Sequence, residues 1–485
     1  MDLKSIFFLY DDTERLPYPI ESIVGSRSYG QILYKKIKIK DRIKRIVESA
    51  GLSFIYLSNS VERDNILNLF REETREFKLI HLFSRGVIIN EEEFIRLLEK
   101  VSYSLTTLVN KELDPFLLLF NNFKTYESYI NLINQNKGVT LEDFNSEVTL
   151  LKPTNCFTEI SELSDFLMFF SGGTEARFFN QIIGDNYTFT KKSNDKIKMK
   201  KEYEYYHLIP DEMKKWFVMP YNFKESDKFA SYTMERLIIP DFALQWIHNS
   251  INLEQFELFL DKIFAFIESR PKKVISKNDY KKRFDELYVN KVVERIEKLK
   301  NLQSYKKINF YVENGVGLTL DDLFNDYIVL KNKINELIDS HIEVIGHGDL
   351  CFSNILYDKR SYTLKFIDTK GALIEEELWT DPYYDLAKLS HSIVGNYDFI
   401  NNDLFLLEMD TSLKINLSIR TDNLSKYRSV FYRKLEDHGY DMRIVRLCEL
   451  SLFLSMLPLH IDNPRKVLAF ILNASYIEEE LKKNV

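Results

Sequence analysis

The sequence predicts two architectures in one chain: an α/β N-terminal domain with a parallel sheet, followed by an α+β domain that becomes mostly helical. Three observations carry this. Near the N-terminus, apolar runs and helical patterns alternate at the spacing of a βαβ unit. The pattern changes around Lys152-Pro153-Thr154-Asn155. A chain of 485 residues is also too long for one ordinary core, so two or three domains are expected.

Residues 5–10 (Ser-Ile-Phe-Phe-Leu-Tyr) form an apolar run that stops at the acidic turn Asp11-Asp12, the pattern of a buried strand. A helical pattern over 41–50 ends at Gly51 and leads into a strand at 54–57. Residues 79–83 and 87–89 read as strands and 91–100 as a helix, while 121–144 is polar, Asn-rich and without clear periodicity. We place the main boundary between about 145 and 160, giving segments 1–150, 151–240 and 241–485. The second segment contains a turn (Ser171-Gly172-Gly173-Thr174), a strand at 187–192, a helix mixing basic and acidic residues at 196–208, and a strand near 232–237. From 242 to 300 the pattern is mostly helical, and after 347 the remainder reads as helices with turns at Gly395 and Gly439.

An apolar share of 45% and a charged share of 29% are those of a globular protein able to bury a large core. The net charge of −7, with both signs interspersed, argues against a dedicated nucleic-acid binder. Of the basic stretches at 35–45 and 191–201, the first reads as a solvated face. Cys156, Cys351 and Cys448 are odd in number and lack CxxC spacing, so neither a disulfide framework nor a zinc site is expected. No signal-peptide pattern opens the chain, and no apolar run approaches the ~20 residues of a membrane span. A cytoplasmic location is the expectation; oligomeric state is not legible.

The chemistry gathers in His347-Gly348-Asp349-Leu350-Cys351-Phe352-Ser353-Asn354, between apolar pieces at 342–345 and 355–357. A strand pattern over 364–367 then ends in Asp368. Phosphoryl transfer uses such a set: one acid orients the attacking hydroxyl and accepts its proton, while an amide and a second acid hold Mg²⁺ on the nucleotide phosphates. Asp349 is therefore the candidate catalytic base, and Asn354 and Asp368 are candidate metal ligands. His347 is expected to brace the loop. The bland alternative, that Asp349 and Asn354 merely form turns, is disfavoured by the strand acid that follows at the right place.

His347-Gly348-Asp349 with Asn354, Ile367-Asp368 and Asp381-Pro382-Tyr383-Tyr384-Asp385-Leu386-Ala387-Lys388 resemble the aminoglycoside phosphotransferase and choline kinase family over about residues 160–480. The resemblance implies a protein-kinase-like bilobal fold, ATP and Mg²⁺ as cofactors, and the same roles for Asp349, Asn354 and Asp368. It implies that Asp385 supports the site structurally. It also requires a phosphate-covering loop, a strand lysine, a helix acid and a hinge. Gly172, Gly173 and Arg177 are the candidates for the loop, although the spacing departs from G-x-G-x-x-G. Lys191, with Lys192 as alternative, is the candidate lysine, sharing a strand face with Tyr187 and Phe189. Glu202 is preferred over Glu204 as its partner. Met234-Glu235-Arg236-Leu237 resembles the hinge. Lys370 is either near the phosphates or exposed.

Phe8-Leu9-Tyr10-Asp11-Asp12, Pro17 to Pro19, Arg27-Ser28-Tyr29-Gly30 and Leu82 to Asn90 resemble, more faintly, sugar nucleotidyltransferases of the GlcNAc-phosphate uridylyltransferase type. No glycine-rich phosphate loop follows the first strand, so a degenerate, non-catalytic domain is implied. Both resemblances together suggest bacterial capsule biosynthesis. The expected activity is transfer of phosphate from ATP to a hydroxyl of a small molecule such as a sugar or amino alcohol, with Tyr383, Tyr384 and His391 as candidate acceptor contacts. The alternative is a pseudokinase or sugar-nucleotide-binding module in the same pathway.

Overall fold

A computed structural model describes residues 6–71, 78–134, 148–151, 156–171, 180–184, 187–338, 341–412, 414–421 and 424–484. The chain divides into two compact units, Met1–Glu175 and Ala176–Val485.

The first unit is built on six strands: β1 (Ile6–Asp11), β2 (Ser53–Leu57), β3 (Lys78–Phe83), β4 (Thr107–Val109), β5 (Leu117–Phe120) and β6 (Val148–Leu150). Their order is β2-β1-β3-β5-β4-β6. β1 runs parallel to β2 and β3, but β5 lies antiparallel to β3 and β4, and β4 pairs parallel with β6. The expected parallel sheet is thus mixed. Fully buried strands such as Leu117–Phe120 carry no alternation, and an apolar run does not record strand direction. The connecting helix Ile39–Ser49 buries Ile39, Ile43, Ile46 and Val47 along one face, the spacing that 3.6 residues per turn requires.

Two corrections belong to this unit. The polar stretch after 121 contains a helix, Phe123–Asn134, which buries Tyr126, Tyr129 and Ile130 at i, i+3 and i+4. The boundary near 150 moves to 175, because Phe157–Glu159 pairs with Gly86–Ile88 and helix Leu163–Ser171 packs on Tyr18–Val24.

The second unit opens with four antiparallel strands: β7 (Asn180–Gly184), β8 (Thr188–Ser193), β9 (Pro220–Glu225) and β10 (Ala230–Glu235), in the order β7-β8-β10-β9. Helix α1 (Lys196–Leu208) is capped by Asp195, whose carboxylate accepts from Lys198 N, and it buries Met199, Glu202 and Tyr205. β10 ends at Glu235, and the chain passes through 236–240 into α2 (Phe242–Ile247), which Asp241 caps. Beyond it lie long helices, including Leu253–Ser269, Leu320–Asn335, Met442–Met456 and Pro464–Asn484. Strand β11 (Ile342–Ile345), the hairpin β12 (Ile355–Asp358) and β13 (Thr363–Phe366), and helix α3 (Pro382–Ile393) frame the polar loop. One core packs Phe242, Phe259, Phe352 and Tyr357 beneath that loop, and a second joins the C-terminal helices. The strand pattern at 364–367 corresponds to β13, but reading the rest of the chain as helices missed a second hairpin, Phe405–Met409 with Ile415–Ile419.

Candidate active site

The 347–354 segment is a loop fixed from several sides before any ligand is considered. Gly348 takes φ +79°, a left-handed conformation that a residue without Cβ adopts freely. Gly346 O accepts from Tyr205 Oη at 2.8 Å. His347 N and Gly348 N donate to the two oxygens of Asp385 at 3.0 and 2.8 Å, and Asp385 in turn pairs with Arg270 at 3.0 Å, both fully buried. The His347 ring is buried and held neutral by burial, below the usual histidine range. Asp349 N donates to His347 Nδ1 at 3.1 Å, so Nε2 carries the proton and donates to Ile367 O at 2.9 Å. His347 therefore fastens the loop to the end of β13, and Asp385 holds its backbone.

Asp349 emerges from this frame with its carboxylate 43% exposed. Asn354 Nδ2 donates to Asp349 O at 2.9 Å and to its Oδ2 at 3.2 Å, which leaves Asn354 Oδ1 as an acceptor. Asn354 O accepts from Ile367 N at 3.1 Å, so the residue beside Asp368 is tied to the same loop. The other oxygen of Asp349 meets Lys388 Nζ of α3 at 2.9 Å. Burial alone would raise the Asp349 pKa, but the Lys388 ammonium reverses this and holds the carboxyl below its usual range.

Asp368 sits at φ +57° just after β13. Its Oδ1 lies 2.9 Å from Lys191 Nζ, and Lys191 also pairs with Glu202 Oε2 at 2.6 Å. Tyr232 Oη donates to the same glutamate oxygen at 2.9 Å. Lys191 and Glu202 are buried, whereas the Asp368 carboxylate is 40% exposed. Burial alone would lower the lysine pKa; the two carboxylates raise it above the usual value, so the ammonium stays charged. Lys192 points elsewhere, its Nζ 3.6 Å above the Phe229 ring.

The donor set suits a hard cation. Asp368 offers a carboxylate oxygen beyond the one facing Lys191, and Asn354 offers Oδ1; Mg²⁺ takes one or two such protein oxygens and completes its shell with phosphate and water. Among the described residues no cluster of three His, Cys, Asp or Glu side chains supplies a self-contained metal cage.

The structure thus brings Lys191, Glu202 and Asp368 into one cluster and Asp349 and Asn354 into another, joined through Ile367. Glu235 lies exposed at the end of β10, opposite Thr188, rather than in either cluster. Gly172, Gly173 and Arg177 lie outside the described residues. Lys370 stacks its methylenes against Gly348, and its Nζ donates to Trp379 O at 3.4 Å. Tyr384 and His391 are buried, Tyr384 beside Tyr288 and His391 between the Tyr397 and Phe453 rings, while Tyr383 packs on Tyr440. Sequence reasoning missed Lys388 and Arg270. The first was legible as the residue one turn beyond Asp385 on one helix face.

No protein family profile and no curated protein matches the chain. Among solved structures, it is similar to a thermostable mutant of aminoglycoside phosphotransferase APH(4)-Ia in ternary complex with AMP-PNP and hygromycin B, with 10% identity, 66% of this chain and 96% of that chain covered, and a TM-score of 0.37. It is also similar to aminoglycoside-3'-phosphotransferase of type VIII, with 12% identity, 60% and 98% covered, and a TM-score of 0.32. Likenesses of this size carry no weight here; the functional reading rests on the side chains described above. Among the described residues no helix is long and apolar enough to cross a membrane.

Proposed function

We propose that the second unit is a small-molecule phosphotransferase that moves the γ-phosphoryl group of ATP to a hydroxyl, with Mg²⁺ on the phosphates. The single observation that supports this most is the Lys191 ammonium, held between a buried glutamate and a half-exposed Asp368 on a segment bonded to the Asp349–Asn354 loop. Lys191 would neutralise phosphate charge, with Glu202 fixing its position. Asn354 Oδ1 and Asp368 would hold Mg²⁺, which when bound supplies charge neutralisation on the transferring group. Asp349 would orient the acceptor hydroxyl and take its proton as the oxygen bonds to phosphorus and the bond to ADP breaks. Positioning and charge account for most catalysis of this kind.

The acceptor we favour is a sugar or amino alcohol destined for a surface glycan, on the strength of the paired sequence resemblances. For the first unit we favour a non-catalytic role. Its acidic turn is spent on internal partners: Asp12 accepts from Ser28 Oγ, Gly30 N and Tyr56 Oη, and Asp11 pairs with His81 and Arg63.

A melting experiment with Mg·ATP, followed by ATP turnover across a panel of sugars and amino alcohols, tests the proposal. Ligand at a hundredfold excess over Kd adds about 2.7 kcal/mol of stability. The absence of both a melting shift and turnover would overturn the proposal, and nucleotide binding without turnover would make the unit a binding module.

A further inference from the structure

A cavity of about 530 Å³ opens in the second unit between α2, the strand Ile415–Ile419 and the helix Leu424–Asp437. That volume is enough for a small organic ligand. Its walls are held by the chain itself. Tyr427 Oη donates to Ile251 O at 2.8 Å, and Thr421 Oγ1 donates to Asn249 Oδ1 at 2.8 Å. Trp246 meets the Tyr427 ring edge-on at 5.2 Å, and Arg420 N donates to Leu404 O at 3.1 Å. Trp246, Tyr427, Ile251 and Leu424 thus offer a firm surface of flat rings and branched apolar groups.

The polar groups around it are of one kind. With Asn249 Oδ1 taken by Thr421, its Nδ2 is left to donate. The exposed Arg420 guanidinium has no partner among the described residues. A second cation, Lys359, reaches Ser250 O at 2.6 Å, between Asn249 and Ile251 in the chain. No described residue that lines the cavity is acidic. A free guanidinium fork matches the paired oxygens of a carboxylate or a phosphate, and aromatic walls match a flat apolar body. We propose that this cavity binds a small organic oxyanion, a carboxylate or phosphate ester on a flat apolar body, with Arg420 as its counter-charge. None of Lys191, Glu202, Asp349, Asn354 and Asp368 lines it, so the proposal stands without the phosphotransferase reading. The Trp246 wall does meet Phe352 of the 347–354 loop, edge-on at 5.5 Å.

The test adds benzoate, phenyl phosphate and, as the neutral control, benzyl alcohol to the full chain. Its three tryptophans give three indole N–H signals, and Trp246→Phe identifies the one that borders the cavity. At least one anion should shift that signal saturably, and benzyl alcohol should bind at least about tenfold more weakly than the better anion. The tighter of the two anions identifies the oxyanion. Arg420→Gln should weaken that anion about tenfold while leaving benzyl alcohol within about twofold, and Arg420→Lys, which keeps the charge but loses the fork, should fall between. Both variants should melt as the wild type does, because the side chain is exposed. Saturating Mg·ATP should not displace the probe. The absence of a saturable shift, equal affinity for anion and alcohol, or displacement by Mg·ATP would each overturn the proposal. If a variant fails to fold, the ratio of anion to alcohol affinity in the wild type decides.

Discussion

Lys191 Nζ stands 2.9 Å from Asp368 Oδ1, across 177 residues of sequence. Asp368 occupies the left-handed backbone region, which costs a residue with a side chain roughly 1–2 kcal/mol. Its neighbours keep it there: Ile367 N donates to Asn354 O, and Lys370 N donates to His347 O at 3.0 Å. The lysine then fixes the carboxylate. Strand β8, helix α1 and the loop after β13 thus meet at one ammonium group, and the acid proposed to bind metal is oriented by the chain's own side chains.

Replacing Lys191 by Met should reveal both of its roles. Among the described residues, Glu202 would be left buried with only the Tyr232 hydroxyl at hydrogen-bond distance and Lys198 3.7 Å away at the surface. Breaking a buried pair from one side costs about 3–5 kcal/mol, which should appear in chemical denaturation. Protection by Mg·ATP should vanish as well. Lys192→Met is the matched control, because that side chain lies on Phe229, and its Mg·ATP protection should be retained.

Asp349→Asn should separate chemistry from binding. The carboxylate is half exposed, so the fold should persist, with Mg·ATP protection intact. Turnover should fall by about 10²–10⁴, the usual contribution of a positioned acid or base. Because Lys388 holds the wild-type carboxyl below its ordinary pKa, the base stays ionised throughout the neutral range. The acid limb it imposes on kcat should therefore lie below the ~3.9 of a free aspartate. A limb near pH 6 would contradict this.

Gly371→Ala should damage the site where Gly51→Ala does not. Both glycines have positive φ, +76° and +79°, so both substitutions carry the backbone cost of roughly 1–2 kcal/mol. At Gly51 a methyl group meets nothing within 4 Å, but at Gly371 it would lie 2.6 Å from the Lys201 backbone carbon. That approach belongs to the bond from Ala372 N to Lys201 O at 2.9 Å, which ties the Asp368 loop to the helix bearing Glu202. Comparing the two variants by denaturation and by Mg·ATP protection isolates the contact: only the first should lose protection.

Much of the site was legible because its parts are local in sequence. Asp349 and Asn354 share one loop, Lys191 and Glu202 are 11 residues apart on a strand and the next helix, and alternation along β8 selects Lys191 over Lys192 for the inner face. Lys388 was visible, but nothing local says that its helix packs against the loop; that follows from Asp385 meeting the loop amides. Glu235 was read as part of a hinge, which uses backbone groups, and it does end β10 where the chain turns toward α2, so its exposed side chain does not bear on that reading. In the first unit, the short apolar run Leu117–Phe120 was not read as a strand, and burial on both faces leaves no mark of its antiparallel pairing. Phe123–Asn134 was hidden because Tyr126 and Tyr129, its buried face, are diluted by polar neighbours. The boundary failed for a related reason: Phe157–Glu159 belongs with Gly86–Ile88 through backbone pairing, which side-chain composition does not record.

A last prediction concerns stability rather than turnover. Asp398, in the short helix Tyr397–Asn401, is buried, and its Oδ2 meets no hydrogen-bond donor among the described residues. Burial, with Asp241 adding repulsion, pushes its carboxyl up to about 7 from the usual 3.8. The folded chain then binds a proton at this site that the unfolded chain has released between about pH 4 and 7. This group's contribution therefore falls as pH rises through that window and levels off above it. Over about three pH units the change is on the order of 4 kcal/mol at most. Asp398→Asn keeps the shape and removes the titration. Its stability relative to wild type, followed by urea denaturation from pH 4.5 to 8, should rise with pH and reach a plateau near 8. A difference independent of pH would show that the Asp398 carboxyl is already ionised in the folded protein, with a donor supplied by solvent.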